Sequence, residues 1–225
     1  MEAIQPFLGN DDGNSHDETL FARIAEDIEQ KGYSIQPAAL PEPIAAALLE
    51  QHQQFLKEEG FKEAGVGRGV DYVKTEFIRQ DEIRWITGDT PAGQQWITWT
   101  TQLRTYLNRR LFLGLFSFES HFAHYPPGAF YKRHYDAFRG EANRVLSVVA
   151  YLNPGWGHED GGELVLYRSD EDCEGIKVVP LYGTLVVFLS EEFPHEVLPA
   201  KRDRHSVAGW YRVNTTLGNK VDPPL

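Results

Sequence analysis

The sequence predicts an α+β, mostly β fold: a double-stranded β-helix, or jelly-roll barrel, with supporting N-terminal helices. Three observations point to it. From residue 116 onward, short β-rich runs follow at close intervals: FSFESHFAHY, AFYKRHYD, RVLSVVAYL, GELVLY, IKVVP, TLVVFL, HEVLP and SVAGWYR. Turn signals separate them, among them YPPG, NPGWG and DGG, where glycine and proline favour reversals over strands. Before residue 116 the apolar residues recur at helical spacing. Short strands behind a helical segment suit an antiparallel barrel with helices packed outside.

Taken in order, residues 1–18 are polar and acidic and are expected to form a flexible tail. A first helix is predicted over about 18–31, with Leu20, Ile24 and Ile28 on one face and Gly32 as its stop. An extended piece, Tyr33 to Ile35, follows. Pro41 and Pro43 introduce a second helix to about Glu59, with Ile44, Ala47, Leu48, His52, Phe55 and Leu56 at helical spacing. AGVGRGV at 64–70 reads as a loop, and VDYVKTEFI at 71–79 as a strand. A third helix runs from about Pro91 to Leu111 or Phe112, its stripe of Trp96, Trp99, Leu103, Leu107 and Leu111 marking a core face. The strands then begin. One domain over 19–225 is expected, with helical support over about 19–115 and a jelly-roll core over about 116–215.

Composition sets bounds. The chain has 225 residues, 41% of them hydrophobic and 12% aromatic, enough to bury a sizeable core. Its net charge of -11 opposes a nucleic-acid partner, which needs a basic surface. Cys173 is the single cysteine, so an internal disulfide and a cysteine-rich zinc site are excluded. The N-terminal residues carry no secretory pattern, and no apolar run is long enough for a membrane helix. A cytoplasmic monomer is expected.

A jelly roll often carries a metal in its mouth, and non-heme iron uses two histidines and one carboxylate on a single face of the ion. The sequence form is His-x-acid followed by a distant histidine. Three stretches match: His16-Asp17-Glu18, His134-Tyr135-Asp136 and His158-Glu159-Asp160. A chain with 8 histidines and 33 acidic residues contains such pairs by chance, so context must choose. His16 lies in the polar tail and His158 in a hairpin loop. His134 ends a β-rich run, where strand alternation sends His134 and Asp136 to the same side. Downstream, His195 follows the strand TLVVFL, and Arg204 comes nine residues later. A strand starting there puts Arg204, Ser206, Ala208 and Trp210 on one face. An inward arginine requires an anion, which implies an acidic ligand.

Together these residues are recognisable. The stretch YPPGAFYKRHYD, RVLSVVAYLNPGW, DGGELVLY and GTLVVFLSEEFPHEVLPAKRDRHSVAGWYR resembles the prolyl 4-hydroxylase family of iron(II)- and 2-oxoglutarate-dependent oxygenases. Within it the chain is similar to bacterial prolyl hydroxylases related to the animal oxygen-sensing enzymes. The resemblance covers roughly residues 18–215 and includes AGVGRG and IRQDEIRWI, which look like the family's active-site finger loop.

The resemblance implies His134, Asp136 and His195 as iron ligands. It implies that Arg204 binds the distal carboxylate of 2-oxoglutarate, with Tyr151 and Tyr125 beside it and Leu164 and Trp210 as apolar walls. Animal relatives carry threonine where this chain has Ala208, so one cosubstrate hydrogen bond is expected to be absent. The implied reaction is a dioxygenase hydroxylation using Fe(II), 2-oxoglutarate and O2, with ascorbate as an accessory ligand. A prolyl residue of a protein is hydroxylated, and succinate and CO2 are released. The implied partner is elongation factor Tu, at its switch I loop; the alternative is another protein side chain or a small molecule. The presence of Asp136 favours hydroxylation over halogenation, because halogenating relatives leave that position without an acid. Residues 64–82 look like a lid, in which Arg68, Arg79 and Trp85 would contact the bound peptide.

Overall fold

A computed structural model describes residues 12–63, 78–137 and 143–214. Their elements run α1 (Asp12–Lys31), β1 (Tyr33–Gln36), α2 (Glu42–Lys57), β2 (Lys62–Glu63), β3 (Glu82–Trp85) and α3 (Pro91–Leu111). Then come β4 (Ser117–Tyr125), β5 (Tyr131–His134), β6 (Arg144–Tyr151), β7 (Leu164–Leu166), β8 (Ile176–Val178), β9 (Leu185–Leu189), β10 (His195–Val197) and β11 (Arg204–Arg212).

Two antiparallel sheets face each other. The larger has the order β1-β9-β6-β11-β4-β3-β2, the smaller β5-β10-β7-β8. This is the jelly roll the strand runs predicted, with helices outside. One expected partition changes: β1, β2 and β3 precede residue 116, yet all pair into the larger sheet. Tyr33 lies opposite Phe188, and Trp85 opposite His121. The helical support and the barrel therefore interleave in sequence.

Strand alternation gives the larger sheet two different faces. On β9, Leu185 and Val187 join the core beneath the helices, while Val186 and Phe188 face the smaller sheet. On β6, Leu146, Val148 and Ala150 face the helices. On β11, Val207 and Tyr211 do the same. Against this face pack Leu20 and Ile24 of α1, Leu48 of α2, and Trp96, Leu103 and Leu107 of α3, all fully buried. The predicted tryptophan stripe is thus core, with Trp96 donating its indole N–H to Ser120 Oγ at 3.0 Å.

Helix α1 begins at Asp12, earlier than the expected 18, so part of the predicted tail is helical. Residues 1–11 lie outside the described residues, as do 71–77 of the strand expected over 71–79. Helix α3 starts as its sequence dictates. The Thr90 hydroxyl accepts from Gly93 N–H at 3.1 Å, and Pro91 follows at the first helical position. No described helix is long and apolar enough to cross a membrane.

Candidate active site

The face of the larger sheet turned from the helices forms the floor of a cavity of about 510 Å³ between the two sheets. His134 ends β5 and His195 begins β10, and the two are opposite each other in the register of the smaller sheet. Asp136 comes two residues after His134. The ligand atoms offered by His134, Asp136 and His195 all lie within 4.8 Å of one another. Asp136 Oδ1 is 3.7 Å from His134 Nε2, and Asp136 Oδ2 is 3.5 Å from His195 Nε2.

Each of the three groups is oriented by a further contact. His134 donates from Nδ1 to the Lys132 carbonyl at 2.7 Å, and His195 from Nδ1 to the Phe193 carbonyl at 3.0 Å. A carbonyl can only accept, so each ring carries a proton on Nδ1 and turns its Nε2 to the centre. Tyr131 stacks on the His134 ring with centroids 3.6 Å apart. Ser147 Oγ donates to Asp136 Oδ2 at 2.7 Å. Burial, then the neighbouring His195, lowers the His134 pKa to about 3, so its ring is neutral at pH 7. Burial works to raise the Asp136 pKa, but His195, His134 and the Ser147 hydrogen bond outweigh it and hold the carboxyl below the usual range.

Arg204 lies at another wall of the cavity, 1% exposed. Its Nε donates to the Gly162 carbonyl at 2.9 Å and its Nη1 to Ser206 Oγ at 3.3 Å. The guanidinium carbon is 4.9 Å from the Tyr125 ring and 5.1 Å from the Tyr151 ring. Among the described residues no carboxylate pairs with it. The buried Tyr151 hydroxyl, beside the guanidinium, lacks a hydrogen-bond partner of ordinary geometry. Gly162 makes this arrangement possible. Its φ is +72°, and an added Cβ would come within 2.9 Å of Ala200 Cβ and 3.1 Å of Arg204 Cδ.

Comparison with known proteins sets these residues in a family. Residues 120–212 match the family described as 2OG-Fe(II) oxygenase superfamily. The chain is 42% identical to a Pseudomonas putida prolyl-4-hydroxylase over 86% of this chain and 98% of that one, with a TM-score of 0.75. The chain belongs to the 2OG-Fe(II) oxygenase superfamily. This oxygenase is also 26% identical to a Trichoplax adhaerens prolyl hydroxylase solved with a hypoxia inducible factor oxygen degradation domain peptide fragment. That match covers 91% of this chain and 94% of the other, with a TM-score of 0.79. A viral collagen prolyl hydroxylase from Paramecium bursaria Chlorella virus-1 shares the fold at 19% identity, with a TM-score of 0.57 over 82% of this chain and 98% of that one.

The oxygenase's own cavity fits the family's cofactors. Two imidazole nitrogens and one carboxylate suit a divalent iron. A buried guanidinium with no carboxylate partner among the described residues, beside a buried tyrosine hydroxyl, suits a dicarboxylate such as 2-oxoglutarate.

Other expected residues fall into place around this centre. Tyr125, Leu164 and Trp210 line the cavity. Trp85 also lines it, 46% exposed at its mouth. Arg79 lines it too, but its guanidinium grips Asp81 with two hydrogen bonds of 2.7 and 2.6 Å. That contact makes it an anchor for the chain entering β3. Arg68 lies outside the described residues. His16 and His158 are both exposed and stand apart from the centre.

The oxygenase site also contains residues that motif reading passed over: Ser147, Asp81 and the pair Arg144 and Glu119. Arg144 Nη2 meets Glu119 Oε1 at 2.8 Å while its guanidinium lies 3.7 Å above the Trp210 ring. Ser147 shares the strand parity of Tyr151, so extending the alternation of RVLSVVAYL backwards finds it.

Proposed function

We propose that this chain hydroxylates a prolyl residue of a protein, with His134, Asp136 and His195 holding iron(II) and Arg204 binding 2-oxoglutarate. The observation that carries this reading is a three-ligand metal set and, in the same cavity, a buried arginine with no carboxylate partner among the described residues. The likeness to the Pseudomonas prolyl-4-hydroxylase supports the prolyl target. When bound, iron and 2-oxoglutarate supply the oxidation by O2, with succinate and CO2 as coproducts.

The chain's own residues do the rest. The two histidines present their Nε2 atoms, and Asp136, held ionised, supplies the one negative ligand. Arg204 receives the far carboxylate, while the Tyr151 and Tyr125 hydroxyls complete the polar end of the pocket. Leu164 and Trp210 keep water from the reacting atoms. Trp85 meets the peptide at the mouth, and Arg79 fixes the chain that carries Trp85.

The proposed protein partner is elongation factor Tu, at a proline of its switch I loop, in the cytoplasm. The proposed enzyme is a monomer of one domain, with ascorbate sustaining the iron. Purified enzyme with Fe(II), 2-oxoglutarate and elongation factor Tu is expected to add the mass of one oxygen atom to a switch I proline. Succinate formation without any gain on a proline of that factor would remove it as the substrate. It would favour another side chain or a small molecule.

A further inference from the structure

We propose that His121 positions the protein substrate: its Nε2 accepts a hydrogen bond from the N–H of the residue that follows the target proline. The proposal rests on the prolyl hydroxylase reading above. His121 lies on β4 with the parity of Glu119, Ala123 and Tyr125, lines the cavity, and is 4% exposed. Its Nδ1 is 3.1 Å from the Phe122 carbonyl. Because that oxygen only accepts, the proton sits on Nδ1. Burial lowers the ring's pKa to about 4, so it is neutral at pH 7. Nε2 is then a bare acceptor.

Among the described residues, the charged groups that act on it are already paired. Asp81 and Arg79 bind each other, and Arg144 is paired with Glu119. Its cross-strand partner on β11 is Ala208, which offers only a methyl group. Its ring contacts are aromatic: Trp85 at 5.3 Å and Trp210 at 5.5 Å between centroids. A dicarboxylate cosubstrate offers only acceptors, so it cannot use this nitrogen. His121 therefore does not replace the hydrogen bond expected to be missing at Ala208. The donor proposed for it is the substrate. Proline itself has no amide N–H, so the nearest backbone donor belongs to the next residue. Trp85 lines the mouth beside His121, which puts the acceptor on the side from which a peptide enters.

The test uses a switch I peptide of elongation factor Tu and the same peptide N-methylated on the residue after the proline. Binding of both is measured for the wild type, His121→Leu and His121→Gln. N-methylation is expected to weaken wild-type binding about ten-fold, the worth of one hydrogen bond left unmade. His121→Leu should lose a similar factor and be indifferent to the methyl group. His121→Gln, which returns an acceptor near the Nε2 position, should recover most of the loss. Affinity for 2-oxoglutarate should stay within about two-fold in all three. Equal losses toward cosubstrate and peptide, or a leucine variant that binds both peptides as the wild type does, would overturn the proposal. If the wild type ignores this peptide, the substrate reading fails and His121 is decided separately. Long-range proton–nitrogen NMR at pH 7 should find the proton on Nδ1 and a bare Nε2; a proton on Nε2 overturns it.

Discussion

Ser147 and Asp136 are joined across two elements: the serine hydroxyl on β6 donates to the carboxylate that follows β5, at 2.7 Å. Ser190 Oγ lies 2.9 Å from the same serine oxygen. The carboxylate is thereby tied to the floor of the larger sheet rather than left on a loop. Ser147→Ala removes the tie and keeps the volume nearly constant. Outer contacts of this kind are worth about 10- to 100-fold in metal affinity. Competition titration with Fe(II) or Mn(II) should show a loss in that range with an unchanged melting temperature of the metal-free protein.

Arg204→Lys keeps the charge but loses the planar fork that matches a carboxylate. The shorter donor set also abandons the Gly162 carbonyl. Calorimetric titration of the metal-loaded protein with 2-oxoglutarate should show binding at least about ten-fold weaker. Metal affinity measured without 2-oxoglutarate should be unaltered.

Gly162→Ala tests the same arginine from outside. The new methyl would strain a positive φ and press on Arg204 Cδ and Ala200 Cβ. Folding stability should fall by about 1–3 kcal/mol in urea unfolding. The 2-oxoglutarate KM should rise as the guanidinium is displaced. A variant with wild-type KM would show that Gly162 serves only the turn.

Acid should weaken the fold through His52. This residue is fully buried on α2, donates from Nε2 toward the Ala123 carbonyl at 3.3 Å, and packs on His205 and His124. Burial, then the His205 charge, lowers its pKa from 6.5 to about 3. Above pH 6.5 neither folded nor unfolded chain carries this proton, and the full stability is present. Below it the unfolded chain gains a proton that the folded one refuses until about pH 3. The resulting loss is about 2 kcal/mol between pH 6.5 and 5. Urea midpoints at those two pH values should show it, and His52→Gln should flatten the dependence.

Much of this was legible in order along the chain. Alternation placed Arg204, Ser206, Ala208 and Trp210 on one face of β11, and all four line the cavity. His134 and Asp136 also come within reach of one ion, although β5 ends at His134 and the acid sits in the bend beyond it. What escaped was pairing over long sequence separations. Nothing local to Tyr33 announces Phe188, and nothing near Glu82 announces His124, whose Nδ1 it meets at 3.0 Å. Nothing local to His205 announces that it packs against His52 and stacks on His124. Arg79, an expected substrate contact, holds Asp81 through its Nε and Nη2, a pairing within two residues that the motif does not announce.

The alternation on β4, β6 and β11 has a consequence for how this protein can change over generations. One parity of positions carries the core under the helices; the other carries the chemistry. Replacements at the second set can retool the ligand or the target without taxing the fold. A one-residue slip in the register of β11 exchanges the two sets at once, sending Tyr211 into the pocket and Arg204 into oil. Innovation in such a sheet is open to substitution and closed to frame slippage.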